Sequence, residues 1–82
     1  MQRNIDKLLR TLEKRADELN IDIDNHADYQ KVCQIITAID FNDPVTYEDK
    51  LFVRNALRDI LFPLVKLDYN AVYIHLFGTA PL

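Results

Sequence analysis

The chain has 82 residues, of which 49% are hydrophobic, and this is enough for one domain with one core but too little for a second. Its 10 basic and 13 acidic side chains give a net charge of -3, so bulk electrostatics provide no reason to bind nucleic acid or an anionic membrane. We therefore expect a single domain over residues 1–82.

Several catalytic mechanisms are excluded by residue types that are absent. The sequence has no serine and its only glycine is Gly78, so a serine nucleophile and a glycine-rich phosphate loop are both excluded. Its one cysteine, Cys33, cannot form an intramolecular disulfide. Neither a secretory signal nor an apolar run of the roughly 20 residues that a membrane span needs is visible. We expect a cytoplasmic protein that is not bound to a membrane.

The first predicted element is an amphipathic helix over about residues 5–19. Its apolar residues recur three and four positions apart: Ile5, Leu8, Leu9, Leu12, Ala16 and Leu19. Directly opposite stand four basic candidates for anion binding, Arg3, Lys7, Arg10 and Lys14. They could contact phosphates or an acidic partner. Acidic neighbours such as Glu13 and Asp17 favour the alternative, a solvent-exposed face with local ion pairs.

Helix two is predicted from about His26 to Ile39. One face carries Tyr29, Val32, Cys33, Ile36 and Ile39, with Ile35 beside them. Asn25 stands three residues before Asp28, which is the spacing of an N-cap and the third helical residue in a capping box. We therefore predict that Asn25 caps this helix.

The segment just before helix two places three aspartates, Asp22, Asp24 and Asp28, around His26. A calcium loop starting at Asp22 would need glycine at its sixth position and glutamate at its twelfth, and the chain has alanine and cysteine there. The pattern apolar-Asp-apolar-Asx also recurs at 39–42 and 67–70, close to other predicted helix starts. The aspartates therefore indicate capping and turn formation, and we predict no metal site.

Helix three is predicted to begin at Thr46, which has the spacing of a capping box with Asp49. Its apolar residues cover about half of the circumference, so it should be the central, most buried helix. These residues are Phe52, Val53, Ala56, Leu57, Ile60, Leu61 and Leu64. Pro63 lacks a backbone N–H and is expected to kink or end the helix near Leu61 or Phe62.

The last segment, residues 68–77, fits a helix or a strand. As a helix it has Asp68 as its N-cap, and Gly78 can end it in a left-handed conformation. Residues 72–77 are also rich in strand formers, but no second strand is available to pair with them. We therefore predict an all-α fold: a small bundle of three to four helices, with helices one and two as an antiparallel hairpin and a central third helix broken near Pro63.

The remaining candidates for chemistry are a thiol and a histidine. Cys33 lies on the apolar face of helix two, where a thiol is usually a small buried hydrophobe with a raised pKa. Its activation would need a base from His26 or His75, and no spacing indicates one. A helical last segment places His75 opposite the apolar face. We predict no catalytic residue, no cofactor and no enzymatic activity.

Apolar side chains are in surplus in the last quarter of the chain. Short helices in a bundle bury only one stripe each, so part of this surface is expected to face another chain. The predicted partner-binding residues are Phe62, Tyr69, Tyr73 and Phe77, because aromatic residues are enriched at interfaces. The alternative is that the region past Pro63 folds back as a lid on the core.

These features favour a small cytoplasmic, non-catalytic protein–protein interaction module. It is expected to be a homodimer, with the C-terminal aromatic patch as its contact surface and an acidic region, residues 22–49, that gives charge selectivity. A second protein is a further candidate partner. The alternative function is a nucleic-acid-binding regulator that uses the basic stripe of helix one, and the charge balance argues against it.

Overall fold

The computed structural model describes residues 4–81 as helices joined by short connections. The helices are α1 (Asn4–Glu18), α2 (Ala27–Asp40), α3 (Tyr47–Leu64) and α4 (Tyr69–Phe77), and a 3-10 turn (Ile23–Asn25) precedes α2. No strand occurs in this part of the chain. The prediction of an all-α bundle is confirmed, and the ambiguous last segment is a helix.

The helices enclose one apolar core, to which each of them contributes. α3 supplies the largest number of buried side chains, which confirms its predicted central position. The buried residues are Leu8, Leu12, Ala16, Ile23, Tyr29, Val32, Ile35, Ile36, Val53, Ala56, Leu57, Leu61, Phe62, Val65 and Tyr69. The predicted faces of α1 and α2 are the faces that point into this core.

The closest backbone packing joins α2 to α3, whereas α1 comes nearest to α4. α1 and α2, the helices of the predicted hairpin, meet chiefly through side chains. The Tyr29 hydroxyl at the start of α2 donates a hydrogen bond to the Glu13 carboxylate in the second half of α1. The Arg15 guanidinium of α1 also donates to the carbonyl oxygen of Val65, 3.3 Å away, at the end of α3.

α3 changes its hydrogen bonding where it approaches Pro63. Ordinary α-helix over Tyr47–Ala56 gives way to a π turn over Leu57–Leu61, in which the Phe62 amide donates to the Leu57 carbonyl. Proline lacks an amide hydrogen, and its ring clashes with the carbonyl four residues back in a regular helix. A π turn is one of the local changes that accommodate such an interruption. The predicted break near Pro63 therefore takes this form, and the helix continues to Leu64.

Three helices end with a non-glycine residue in the left-handed region. These residues are Asn20, Asn42 and Lys66, with φ of 58°, 59° and 59°. After α3, the Leu67 amide donates to the Phe62 carbonyl at 2.9 Å and the Lys66 amide to the Pro63 carbonyl at 3.0 Å, which is a Schellman motif. The ends of α1 and α2 have the same pair of hydrogen bonds. The fourth end is Gly78, at φ 74°, as predicted.

Side-chain caps fix where three helices begin. Thr46 and Asp49 form the predicted capping box, with the Asp49 amide 3.0 Å from the Thr46 hydroxyl oxygen. The Asp68 carboxylate accepts from the amides of Asn70 and Ala71 at 2.9 and 3.3 Å, so the predicted cap of α4 is confirmed. The predicted cap of α2 is wrong, because Asn25 belongs to the 3-10 turn and His26 is the capping residue.

Between residues 4 and 81, no single helix is both long and apolar enough to cross a membrane. The two C-terminal helices, Tyr47–Leu64 and Tyr69–Phe77, pass that test only when taken together, and they are bent by 107° at the break between them.

Candidate interaction surfaces

The predicted partner-binding aromatics form a stack inside the molecule. Phe62 is 0% exposed and Tyr69 is 6% exposed, and their ring centroids lie 5.4 Å apart in an edge-to-face arrangement. Both residues belong to the buried core, so the prediction of partner contact needs correction at Phe62 and at Tyr69. The physical reason is the sharp bend after α3, which folds α4 back over the core and encloses Phe62 beneath it.

The other two rings continue the stack toward the surface. Tyr73 lies 6.0 Å from Tyr69 and 4.6 Å from Phe77, measured between ring centroids. Both Tyr73 and Phe77 are half-buried against the core. The Lys7 ammonium of α1 lies 5.9 Å from the Phe77 ring centroid, so the end of the stack also contacts the first helix. His75 is exposed on the opposite side of α4, as predicted.

The candidate anion-binding residues do not form an isolated basic surface. Arg3 lies outside the described residues, and Lys7 is the residue above Phe77. Arg10 and Lys14 line an open groove of about 810 Å³ between α1 and the 3-10 turn. Four carboxylates line the same groove, those of Glu13, Asp17, Asp22 and Asp24. A phosphate would therefore meet repulsion as well as attraction there.

The aspartates around His26 act in local structure. The His26 Nδ1 atom accepts a hydrogen bond from the Asp28 amide at 3.2 Å and so caps α2. The Asp22 carboxylate accepts a hydrogen bond from the Asn25 side-chain amide within the preceding turn. Over residues 4–81, no three His, Cys, Asp or Glu side chains are grouped so as to hold a metal ion.

Cys33 lies beside Tyr29 on the inner face of α2. Burial raises the pKa of the Cys33 thiol, which keeps it protonated near neutral pH. Burial, reinforced by the hydrogen bond to Glu13, also raises the pKa of Tyr29. A protonated thiol is a weaker nucleophile than a thiolate.

Among residues 4–81, the most exposed large hydrophobic side chains lie on the connection between α2 and α3. Phe41 and Tyr47 are each 74% exposed. Phe41 is the residue after α2 and Tyr47 is the first residue of α3, so six positions separate them. Neither residue is among the predicted partner-binding residues. A signal was available in the sequence. Phe41 comes after Ile39, the last residue of the apolar face of helix two, and Tyr47 comes before Phe52, the first residue of the apolar face of helix three.

This connection is also strongly acidic. We name residues 40–49 the acidic tip. It carries four carboxylates and no basic side chain, a formal charge of -4, whereas the whole chain carries -3. The Asp43 and Glu48 side chains are exposed; Asp43 is two residues after Phe41 and Glu48 is the residue after Tyr47, and Asp49 belongs to the capping box. The tip therefore combines exposed aromatic surface with concentrated negative charge.

A second group of exposed apolar side chains lies in the C-terminal half. Ile60, Leu64 and Ile74 are 40%, 39% and 48% exposed. Ile60 and Leu64 belong to the face of α3 that was expected to be buried, and that expectation is wrong for these two residues. The apolar stripe of α3 is wider than its neighbours can cover, because Leu57 and Leu61 already fill the contact with the core.

A smaller cleft of about 380 Å³ lies beside Ile74, with Arg54, Arg58, Tyr69 and Pro81 among its lining residues. The Arg58 guanidinium donates two hydrogen bonds to the Asp59 carboxylate, at 2.8 and 2.9 Å, so its charge is already paired.

No protein-family model, curated protein or solved structure matches this chain.

Proposed function

We propose that the chain is a small non-catalytic protein–protein interaction module that acts as a homodimer. The observation that carries the proposal is two pairs of large exposed apolar side chains that are close in sequence: Phe41 and Tyr47 on the acidic tip, and Ile60 and Leu64 on α3. Single exposed apolar residues are normal on a protein surface. Two such pairs on a chain of 82 residues leave apolar area that association would bury.

The charge around each pair supports a division of roles between them. Two identical acidic tips, each with a formal charge of -4, repel one another, so the tip is not suited to contact between copies. Ile60 and Leu64 follow Arg58 and Asp59, whose opposite charges pair with each other. Two copies that associate through this part of α3 therefore do not bring charges of the same sign into contact through Arg58 and Asp59.

Two half-buried aromatic residues and the free cysteine are also consistent with a protein–protein interaction module. Tyr73 and Phe77 keep part of their surface exposed and remain candidates for contact with a partner, whereas the buried Phe62 and Tyr69 are withdrawn from the predicted set. The unpaired Cys33 is typical of a protein in a reducing compartment, so we propose a cytoplasmic location.

The proposal is tested by measuring the molar mass in solution with light scattering over a wide dilution range. The expected result is twice the chain mass of 9.6 kDa at high concentration, with dissociation on dilution. The double variant Ile60→Lys/Leu64→Lys should be monomeric, because the introduced charges would face one another across the interface. Circular dichroism of this variant checks that the helices are retained.

The matched control is Phe41→Ser/Tyr47→Ser, which also removes two exposed apolar side chains but at the acidic tip. It should dimerise as the wild type does. A wild-type chain that stays monomeric at millimolar concentration contradicts the homodimer. Equal dimerisation of the wild type and the Ile60→Lys/Leu64→Lys variant contradicts the assignment of the contact to α3.

A further inference from the structure

We infer that the acidic tip is a docking surface for a cationic segment of another protein. In this arrangement, lysine or arginine side chains of the partner lie over the exposed rings of Phe41 and Tyr47, and the surrounding carboxylates neutralise their charge. This inference rests on the proposed function as an interaction module, and it adds the chemistry of the partner.

The sign of the charge selects the class of partner. The tip holds a formal charge of -4, and the other residues of the chain together carry +1. Asp43 and Glu48 are exposed, and a field of one sign accelerates and orients the approach of a partner of opposite sign. The same field repels a second copy of the tip, a nucleic-acid phosphate and an anionic membrane. A basic protein segment is thus the macromolecular ligand that the tip fits.

The exposed rings supply the specific contact. A lysine ammonium or arginine guanidinium is attracted to the face of an aromatic ring by the negative charge density of that face. The same pair of helices already contains such a contact, because the Lys31 ammonium lies 4.2 Å from the centroid of the Phe52 ring. Phe41 and Tyr47 are 74% exposed and so present ring surface to a partner.

The backbone on both sides of the rings is held by hydrogen bonds. At the end of α2, the Asp43 amide donates to the Ala38 carbonyl at 2.8 Å and the Asn42 amide to the Ile39 carbonyl at 3.1 Å. At the start of α3, the capping box of Thr46 and Asp49 fixes the first turn. A surface that is already ordered loses less conformational entropy on binding than a flexible loop does.

The test is an NMR titration of the ¹⁵N-labelled full chain with defined peptides: hexa-arginine, hexa-glutamate, and a neutral peptide that alternates leucine and serine. Only hexa-arginine is expected to shift the amide signals of residues 40–49. Its affinity should fall several-fold when salt is raised from about 50 to about 500 mM, because the pairs are screened. The titration is repeated with Ile60→Lys/Leu64→Lys, so that dimerisation does not enter the result.

Two variants separate the rings from the charge. Phe41→Ser/Tyr47→Ser keeps every carboxylate and should weaken hexa-arginine binding about tenfold. Asp43→Asn/Glu48→Gln keeps both rings and should weaken it by a similar factor. The matched control Asp17→Asn/Asp24→Asn removes the same number of charges from the groove beside α1 and should leave binding at the tip within about twofold of the wild type.

The outcomes test the docking surface separately from the homodimer. Equal weakening by the control variant, or shifts spread over the whole surface, would mean unspecific attraction and would overturn the inference. Binding of the neutral peptide at the tip with the affinity of hexa-arginine would overturn the cationic partner while keeping the tip as a contact surface. Failure of every peptide to shift residues 40–49 would overturn the docking surface, whereas the molar mass measurement judges the homodimer independently.

Discussion

The hydroxyl of Tyr29 donates a hydrogen bond to the carboxylate of Glu13, and this contact joins α2 to α1 at the edge of the core. Tyr29 is 6% exposed, whereas Glu13 lies at the surface beside the groove. The ring of Tyr29 packs with the core while its polar end reaches the solvent boundary. The backbones of these two helices are not closely packed, so this side-chain contact helps to set how they lie together.

Removing the hydroxyl is expected to weaken this connection without opening a large cavity. We predict that Tyr29→Phe lowers the free energy of unfolding by about 1.5 kcal/mol, the low end of the range for a hydrogen bond to a charged group, because the freed Glu13 carboxylate can be rehydrated. Urea unfolding followed by circular dichroism measures the change. Glu13→Gln keeps an acceptor and should lose less. Unchanged stability of Tyr29→Phe would mean that the contact contributes nothing.

Stability is also expected to fall at alkaline pH. Burial and the bond to Glu13 raise the pKa of Tyr29, and burial raises the pKa of Tyr69. An unfolded tyrosine ionises near pH 10, whereas the pKa of each of these two is raised in the folded chain, so the folded state binds more protons above that pH. The stability that these two protonated tyrosines contribute is complete below about pH 10 and is lost as the pH rises beyond it.

The check is urea unfolding at a series of pH values from about 8 to 11, together with tyrosinate absorbance of the folded chain. Tyr29→Phe should show a shallower decline of stability with pH than the wild type. A decline of equal slope in the two proteins would argue against ionisation of Tyr29 as a cause.

The end of α3 offers a stabilising substitution. Lys66 has a φ of 59°, a left-handed conformation in which its Cβ is disfavoured and glycine is not. We predict that Lys66→Gly raises the free energy of unfolding by roughly 0.5–1 kcal/mol. Lys66→Ala keeps the Cβ atom and should bring no such gain. Equal effects of the two substitutions in thermal unfolding would contradict the backbone explanation.

The start of α4 depends on one carboxylate. Asp68 accepts hydrogen bonds from two amides of the first turn, and we predict that Asp68→Ala lowers the free energy of unfolding by about 1 kcal/mol. Asp68→Asn keeps an oxygen acceptor and should recover most of this loss. Chemical denaturation of the three proteins under one buffer provides the comparison, and an alanine variant as stable as the wild type would contradict the capping role.

Sequence reasoning succeeded where the cause is local. The spacing of Thr46 and Asp49, the position of Asp68 and the single Gly78 each depend on a few consecutive residues, and all three have their predicted roles. The same reasoning failed at α2 because two residues there can cap. Asn25 has the expected chemistry, but the 3-10 turn that absorbs it extends back to Ile23. His26 takes its place, with a ring nitrogen as acceptor.

The distribution of exposed surface could not be read from the sequence, because it depends on how the helices are placed in space. Phe62 and Ile60 are both apolar residues of the third helix near Pro63, yet one is 0% exposed and the other 40%. The difference arises from the 107° bend between α3 and α4, which covers Phe62 and leaves Ile60 open. Phe41 and Tyr47 are exposed because they lie just beyond the faces that their helices bury.

Contact between copies through α3 is tested most directly by an isotope-filtered NOE experiment on an equal mixture of ¹³C-labelled and unlabelled chains. NOEs between the labelled and unlabelled copies should connect the methyl groups of Ile60 and Leu64 across the interface. They should disappear in the Ile60→Lys/Leu64→Lys variant and persist in Phe41→Ser/Tyr47→Ser. The absence of NOEs between copies at millimolar concentration would contradict the proposed homodimer, and their restriction to the acidic tip would contradict contact through α3.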